Sequence, residues 1–168
     1  TFDSRADGYG RGEGCSFVSL VNETDEHLAL SGSAVRADGR SASLTAPNGQ
    51  AQRDLIVAAM HDATISPNTL QTNEAHGTGT ALGDPIETSS LVAVVLTVRG
   101  EQLPPVSFGS AKASISHGES NAGLAGLLSL KCRLQVAAPN AQLRTLNPHV
   151  EGAVDGVICA FLVQLGAQ

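Results

Sequence analysis

The chain has no tryptophan, one tyrosine and one methionine, and aromatic residues are only 3% of its 168 positions. Its core is therefore expected to be built from Ala, Val, Leu and Ile. Basic residues are also scarce, ten Lys and Arg against sixteen Asp and Glu, for a formal charge of −6. A nucleic-acid surface needs a clustered basic face, and this balance argues against one. No run of about 18 or more apolar residues occurs, so no membrane span is read from the sequence. The three cysteines, Cys15, Cys132 and Cys159, are odd in number and lack the paired spacing of a metal site. They read as small, buried, reduced thiols of an intracellular protein, in the cytoplasm or an organelle. No secretory signal opens the chain. It begins at Thr1, with Met60 its only methionine, and the expectation is a piece of a longer polypeptide.

What remains is a composition that folds. Hydrophobic residues are 42% and charged residues 15% of a length suited to one domain with a real core. Residues 1–12 carry three glycines among charged side chains and read as loop. Alternating patterns predict strands over 15–21 and 27–35, and 36–49 reads as a long irregular loop. Leu55, Ile56, Ala59 and Met60 form one apolar stripe of a helix over 50–63, which Ser66-Pro67-Asn68 ends. A poor strand over 70–75, a largely apolar helix over 85–98 and a short strand over 106–108 follow. Next come a helix over 119–135, with Leu124, Leu127, Leu128 and Leu134 on one side and small residues opposite, and a loop over 137–149. A last strand over 157–165 is apolar on both faces and is predicted to be central. The alternation of helix and strand predicts an α/β layered sheet with parallel crossovers.

Two polar loops share one grammar. The first is Asn73-Glu74-Ala75-His76-Gly77-Thr78-Gly79-Thr80, running through Gly83-Asp84-Pro85-Ile86-Glu87 into a helix. Its glycines permit positive φ and close approach, and its hydroxyls can bond a ligand. Asp84 and Glu87 read as a capping box around Pro85. The second is Gly109-Ser110-Ala111-Lys112-Ala113-Ser114-Ile115-Ser116-His117, also at a strand end and before a helix. Ligands of open α/β sheets bind beyond the carboxyl ends of strands, so His76 and His117 are predicted on one rim. A helix start after His117 favours neutral imidazole, and two neutral imidazoles suit a developing oxyanion or enolate. Lys112 would add a fixed charge, or be a solvated surface lysine. A metal held by His76, His117 and Glu119 is a weaker alternative, since no paired spacing is present. A phosphate cradle in Gly-Thr-Gly-Thr lacks the P-loop ending. Spacing assigns no role to Tyr9 or Arg11.

These residues resemble a known family. His76-Gly77-Thr78-Gly79-Thr80 with Gly83-Asp84-Pro85-Ile86-Glu87 is similar to the HGTGT-x-x-GDPIE signature of β-ketoacyl synthases, in particular the ketosynthase domains of type I polyketide synthases. Phe2-Asp3 with Ala6-Asp7-Gly8-Tyr9 and Arg11-Gly12-Glu13-Gly14-Cys15 resembles a second family segment. Gly32-Ser33-Ala34-Val35, Asp38-Gly39-Arg40-Ser41 and Leu44-Thr45-Ala46-Pro47-Asn48-Gly49 resemble a third. Gly109-Ser110-Ala111-Lys112 with Ile115, His117, Glu119 and Ala122-Gly123 resembles a fourth. The tail around Asn140–Arg144 and Leu146–Val150 looks most like dinoflagellate-type protist ketosynthases.

The resemblance implies a partial thiolase-like fold, with 1–49 ending the N-terminal half and 50–168 forming a truncated C-terminal half. It implies an acyltransferase, a 3-oxoacyl synthase, that condenses an acyl thioester with malonyl held on acyl carrier protein. The intact domain would be a homodimer. His76 and His117 match the catalytic histidines, Lys112 the supporting lysine, and Thr78 and Thr80 the threonines that bond the phosphopantetheine arm. No other cofactor, metal, nucleic acid or membrane is implied. The family's nucleophilic cysteine has no counterpart among Cys15, Cys132 and Cys159, so the chain alone is expected to be inactive. Ser114 and Ser116 replace the family's Asn and Gly, and Ser116 is expected to disturb the backbone that aims His117. The alternative reading is a catalytically silent ketosynthase-like binding module.

Overall fold

Asn48 opens the regular structure, because its side-chain oxygen accepts the Gln50 and Ala51 N–H groups at 3.0 and 3.2 Å. These are two of the donors that a helix start leaves without a partner. In the computed structural model, residues 1–19, 29–43, 45–133, 140 and 142–161 are described. The elements are α1 (Gly49–Asp62), β1 (Thr72–Glu74), α2 (Gly83–Val94), β2 (Val106–Gly109), α3 (Lys112–Ile115), α4 (Ala122–Arg133), α5 (Pro148–Ala153) and β3 (Cys159–Phe161). Single 3-10 turns cover Pro67–Thr69, Leu96–Val98 and Glu119–Asn121. The strands form one parallel sheet in the order β1-β2-β3. Helical crossovers between parallel strands make this the α/β arrangement that the alternation predicts.

Register does the positioning. Thr72 lies opposite Ser107, Asn73 opposite Phe108 and Glu74 opposite Gly109. Both strands therefore end level, and the pairing runs on past them as Ala75 N–H donates to Gly109 O at 2.8 Å. The chains that leave β1 and β2 emerge side by side.

Two apolar clusters hold the sheet. Leu91, Val95 and Leu96 pack on Val106 and Phe108, with Ile56 and Met60 of α1 against them. Phe2, Ala75, Leu143 and Val150 form the second cluster. Phe161 touches both; its ring is stacked 4.8 Å from Phe108 and lies edge-on 5.3 Å from Phe2. The expectation of a core of Ala, Val, Leu and Ile is corrected here. Aromatics are few, but three of the four phenylalanines meet at the junction of the clusters.

Other expectations also change. Residues 15–19 and 29–35 form no strand, and Phe17, Leu30 and Val35 are exposed. Strand backbone needs a neighbour for its N–H and C=O groups, and none pairs with these stretches among the described residues. The remainder of those two predicted strands, 20–21 and 27–28, lies outside the described residues. β3 is an edge of the described sheet and half-buried, not central; positions 162–165 lie outside the described residues. α4 turns its small face inward: Ala122 and Gly126 are buried, whereas Leu124, Leu127 and Leu128 are exposed. A Cβ on Gly126 would lie 3.2 Å from Glu74 Cγ, so the small residue lets α4 approach β1 closely. Leu134 lies outside the described residues. Within the predicted loop over 137–149, His149 belongs to α5, which starts on an Asn147 cap with Pro148; 137–139 and 141 lie outside the described residues. Cys15 and Cys132 are exposed and Cys159 is half-buried, so the thiols are not the buried set that composition predicted.

Phe108 is almost fully buried and contacts α2 and Phe161. Truncating it in Phe108→Ala is expected to lower stability by about 3–5 kcal/mol, read from the midpoint of urea unfolding.

Candidate functional site

The glycine loop after β1 is built against two carboxylates. Asp84 is buried, and its oxygens accept the Gly79 N–H at 2.9 and 3.2 Å and the Phe2 N–H at 3.0 Å. Glu87 accepts the Gly77 N–H at 2.8 Å and also that of His76. These loop donors have no helix or strand partner, so the carboxylates supply what secondary structure supplies elsewhere. This corrects the capping-box reading. α2 starts at Gly83 after Leu82, and Asp84 and Glu87 face the loop rather than the helix end. Burial pushes the Glu87 carboxyl up, and its bonds to the Gly77 and His76 amides oppose that rise.

Gly77 and Gly79 adopt φ of 47° and 79°, a region that suits glycine. A Cβ at Gly77 would lie 2.8 Å from Ser110 Cβ, and one at Gly79 2.7 Å from Gly8 O. Between them Thr78 is buried, and its hydroxyl lies 3.4 Å from that of Thr80. Thr80 Oγ1 also accepts the Gly83 N–H at 3.1 Å.

The second loop lies alongside. Ser110 Oγ donates to His76 O at 3.3 Å. Glu74 Oε1 accepts the Ala111 N–H just before α3, so the end of β1 anchors the helix that carries Lys112. The structure brings His76 and His117 together, with ring centroids 5.2 Å apart and planes at 85°. His117 Nδ1 accepts the Glu119 N–H at 3.1 Å, which leaves Nε2 as the protonated nitrogen of the neutral ring.

Residues 8–12, which spacing left without a role, strap both loops. Gly8 N–H donates to Gly79 O at 2.9 Å. His117 N–H donates to Gly10 O at 2.9 Å, and Gly12 N–H donates to His117 O at 3.0 Å. The Tyr9 ring meets the His117 ring edge-on, with centroids 4.7 Å apart. Arg11 pairs with Glu119 at 2.8 Å on the surface. Asp3 fixes the start of the strap to the C-terminal part by accepting the Arg144 and Thr145 N–H groups at 2.7 and 3.2 Å. The Arg5 guanidinium holds the Asp3 carboxyl well below the usual carboxylate range.

The imidazole pair divides two cavities. One, of about 710 Å³, is lined by Tyr9, Pro47, Thr78 and Thr80 together with both histidines. The other, of about 450 Å³, is lined by Glu74, Lys112, Gly126 and Leu127 with the same two histidines. None of the three cysteines lines either one, and half-burial pushes the Cys159 thiol up, away from thiolate. Among the described residues no cluster of His, Cys, Asp or Glu has the geometry of a metal site. No described helix is long and apolar enough to cross a membrane.

Electrostatics keep the pair neutral. Partial desolvation lowers the pKa of both rings, although His76 keeps an exposed face, and the Lys112 charge lowers them further; His117 also lowers His76, while Asp84 opposes the shift at His76 and Glu119 that at His117. Lys112 is itself lowered by burial, with the charges of Glu74 and Glu87 opposing. Neutral rings beside a retained cation form a set of donors that is preorganised for negative charge. Spacing alone does not mark Asp84, Glu87, Glu74 or Tyr9 as part of the site. The signal was available for the carboxylates, since a glycine loop with several orphan N–H groups needs acceptors nearby. Nothing in the local pattern around Tyr9 points to His117.

Known proteins resemble this chain in sequence and in fold. The family model described as "Beta-ketoacyl synthase, C-terminal domain" matches residues 27–144. One polypeptide of the phenolphthiocerol/phthiocerol polyketide synthase of Mycobacterium tuberculosis is 44% identical over 162 residues, covering 91% of this chain and 9% of that protein. Another polypeptide of the same synthase, from the same species, is 41% identical over 158 residues, covering 89% and 8%. A ketosynthase domain of the Streptomyces albus oxazolomycin system superposes with a TM-score of 0.72 at 32% identity, over 80% of this chain and 23% of that one. The ketosynthase of bacillaene synthase module 6 from Bacillus subtilis gives 0.65 at 32% identity, over 70% and 21%. The fold is thus a partial thiolase-like α/β fold, and the chain spans under a tenth of the length of these two mycobacterial relatives.

Because the histidine values are depressed below the ordinary 6.5, their neutral forms favour the folded state. That contribution is full above pH 6.5 and is lost as pH falls through the lowered values. Replacing Lys112 by Met is expected to raise both imidazole midpoints while burial still holds them below 6.5. Imidazole NMR titration of His76 and His117 reads this shift, and unchanged midpoints would remove Lys112 from the site.

Proposed function

The chain belongs to the β-ketoacyl synthase C-terminal domain family, and on that premise we propose that it carries the histidine half of a polyketide ketosynthase site. The observation that supports this reading is the pair of neutral imidazoles 5.2 Å apart between two cavities. The reaction is a decarboxylative Claisen condensation, and the enzyme class is acyltransferase, a 3-oxoacyl synthase. Residues 1–49 hold the end of the N-terminal half and the connecting loop, into which the matched C-terminal model already extends from residue 27, and 50–168 belong to the C-terminal half. The complete domain is a homodimer in the cytoplasm or an organelle, served by acyl carrier protein.

The larger cavity suits the slender arm of a carrier protein. Thr78 and Thr80 would hold its amides, because each hydroxyl has one proton and only one of the two is used between them. That arm, phosphopantetheine, supplies the thioester link to the malonyl unit. At the histidines the malonyl carboxylate leaves as carbon dioxide, and its bonding electrons pass to an enolate. His76 and the Nε2–H of His117 hold the enolate oxygen. The enolate carbon then bonds to the acyl thioester carbonyl, the carbon–sulfur bond breaks, and the sulfur leaves as thiolate. Lys112 keeps both rings in the donor form by raising the cost of a second positive charge nearby.

On this reading the acyl-bearing thiol is none of Cys15, Cys132 and Cys159, which is supported by their absence from the linings of both cavities next to the histidines. It is supplied by another segment. The 168-residue chain given an acyl thioester and malonyl carrier protein is therefore expected to form no ketoacyl product by mass spectrometry. Product formed by this chain would refute the missing-thiol reading.

A further inference from the structure

Ser116 joins α3 to His117 with a backbone that serine rarely adopts. Its φ of 64° with ψ of −175° lies in a region that is open essentially to glycine alone. Such a residue persists only where its neighbours fix it from both sides. On one side Ser116 N–H donates to Lys112 O at 3.0 Å and closes α3. On the other, the two hydrogen bonds between His117 and the strap at Gly10 and Gly12 hold the next residue as a parallel bridge with Arg11. Glu119, whose N–H donates to His117 Nδ1, also has a positive φ, of 47°. His117 thus sits between two non-glycine residues in left-handed conformations.

The serine side chain also occupies the face of the strap. A Cβ added to Gly10 would lie 3.4 Å from Ser116 Oγ. One added to Gly12 would lie 3.3 Å from Ser116 Cβ and 2.6 Å from Ile115 O. There is no room for a side chain at 12 while Ser116 holds this turn. Relaxing φ of Ser116 to ordinary negative values would rotate the chain one step before His117. It would break the Gly10 and Gly12 bonds or swing the imidazole away from His76.

We propose that Ser116 is the positioning residue of His117, a strained turn clamped by the Gly10–Gly12 strap that aims the imidazole at His76. The role rests on the reading of His117 as one of the enolate-holding pair, but the test reads conformation and stability and needs no condensation. Ser116→Gly and Ser116→Val are compared with the parent chain by thermal unfolding and by imidazole NMR. Glycine accepts this backbone without strain, so Ser116→Gly should melt about 2–4 °C higher, with the Tyr9–His117 cross-peak and the His117 nitrogen shifts of the parent. Valine accepts it least. Ser116→Val should melt lower and lose both His117 signatures, while the Gly77 and Gly79 amide signals stay in place. A Ser116→Gly chain no more stable than the parent would overturn the proposal, as would a folded Ser116→Val chain with unmoved His117 signals. Where Ser116→Val does not fold, the sign of the Ser116→Gly shift decides. Absence of condensation in a complete domain alongside these results would refute the functional reading and leave the positioning role standing.

Discussion

Two carboxylates from the start of α2 hold the loop on which the site depends. Asp84 binds the Gly79 amide and Glu87 the Gly77 and His76 amides. A loop that turns through two positive-φ glycines cannot bond its own N–H groups in a helix or strand, and leaving them dry would be costly. By taking them up, the carboxylates fix where the imidazole of His76 starts. Asp84 also accepts the Phe2 N–H, so the same group ties the N-terminal strap to the loop. Phe2 then reaches the aromatic junction at Phe161 and Phe108, and the site and the core share a foundation.

The second histidine is held differently. His76 is placed by side-chain acceptors, whereas His117 is placed by backbone pairing with the strap and by the Glu119 N–H at its own ring. Parallel register brings the two loops out level, and the strap crosses both. Lys112 stands on a short helix whose entry is tied to β1 through Glu74. Glu74 and Glu87 favour its charged form, and that charge adds to desolvation in lowering the pKa of the neighbouring rings. Neutral imidazoles held close together, with a lysine nearby, are suited to stabilising negative charge without rearranging as it forms.

Much of this was legible in the sequence where the signal is local. Helix and strand periods located α1, α2, β1 and β2, and the repeated strand–loop–His–helix unit placed both histidines on one rim. What escaped was set by contacts between distant residues. Asp84 looks like a cap because it precedes a proline at a helix start, but its acceptor capacity is drawn to Gly79 and Phe2. Nothing local ties Tyr9 and Gly12 to His117, since that partner lies far along the chain. The stretches 15–19 and 29–35 have strand-like alternation without a neighbouring strand among the described residues, and alternation alone cannot close a ladder. The phenylalanine junction was hidden because composition counts residues and does not say where they meet.

The central claim is that His76 and His117 act as one unit on one oxygen. A double-mutant cycle of His76→Ala and His117→Ala, carried out with this chain joined into a complete ketosynthase domain, tests it through the condensation rate. Residues that act together are strongly non-additive, so the double variant should be no slower than the slower single one. Losses that multiply, each histidine contributing independently of the other, would contradict the account.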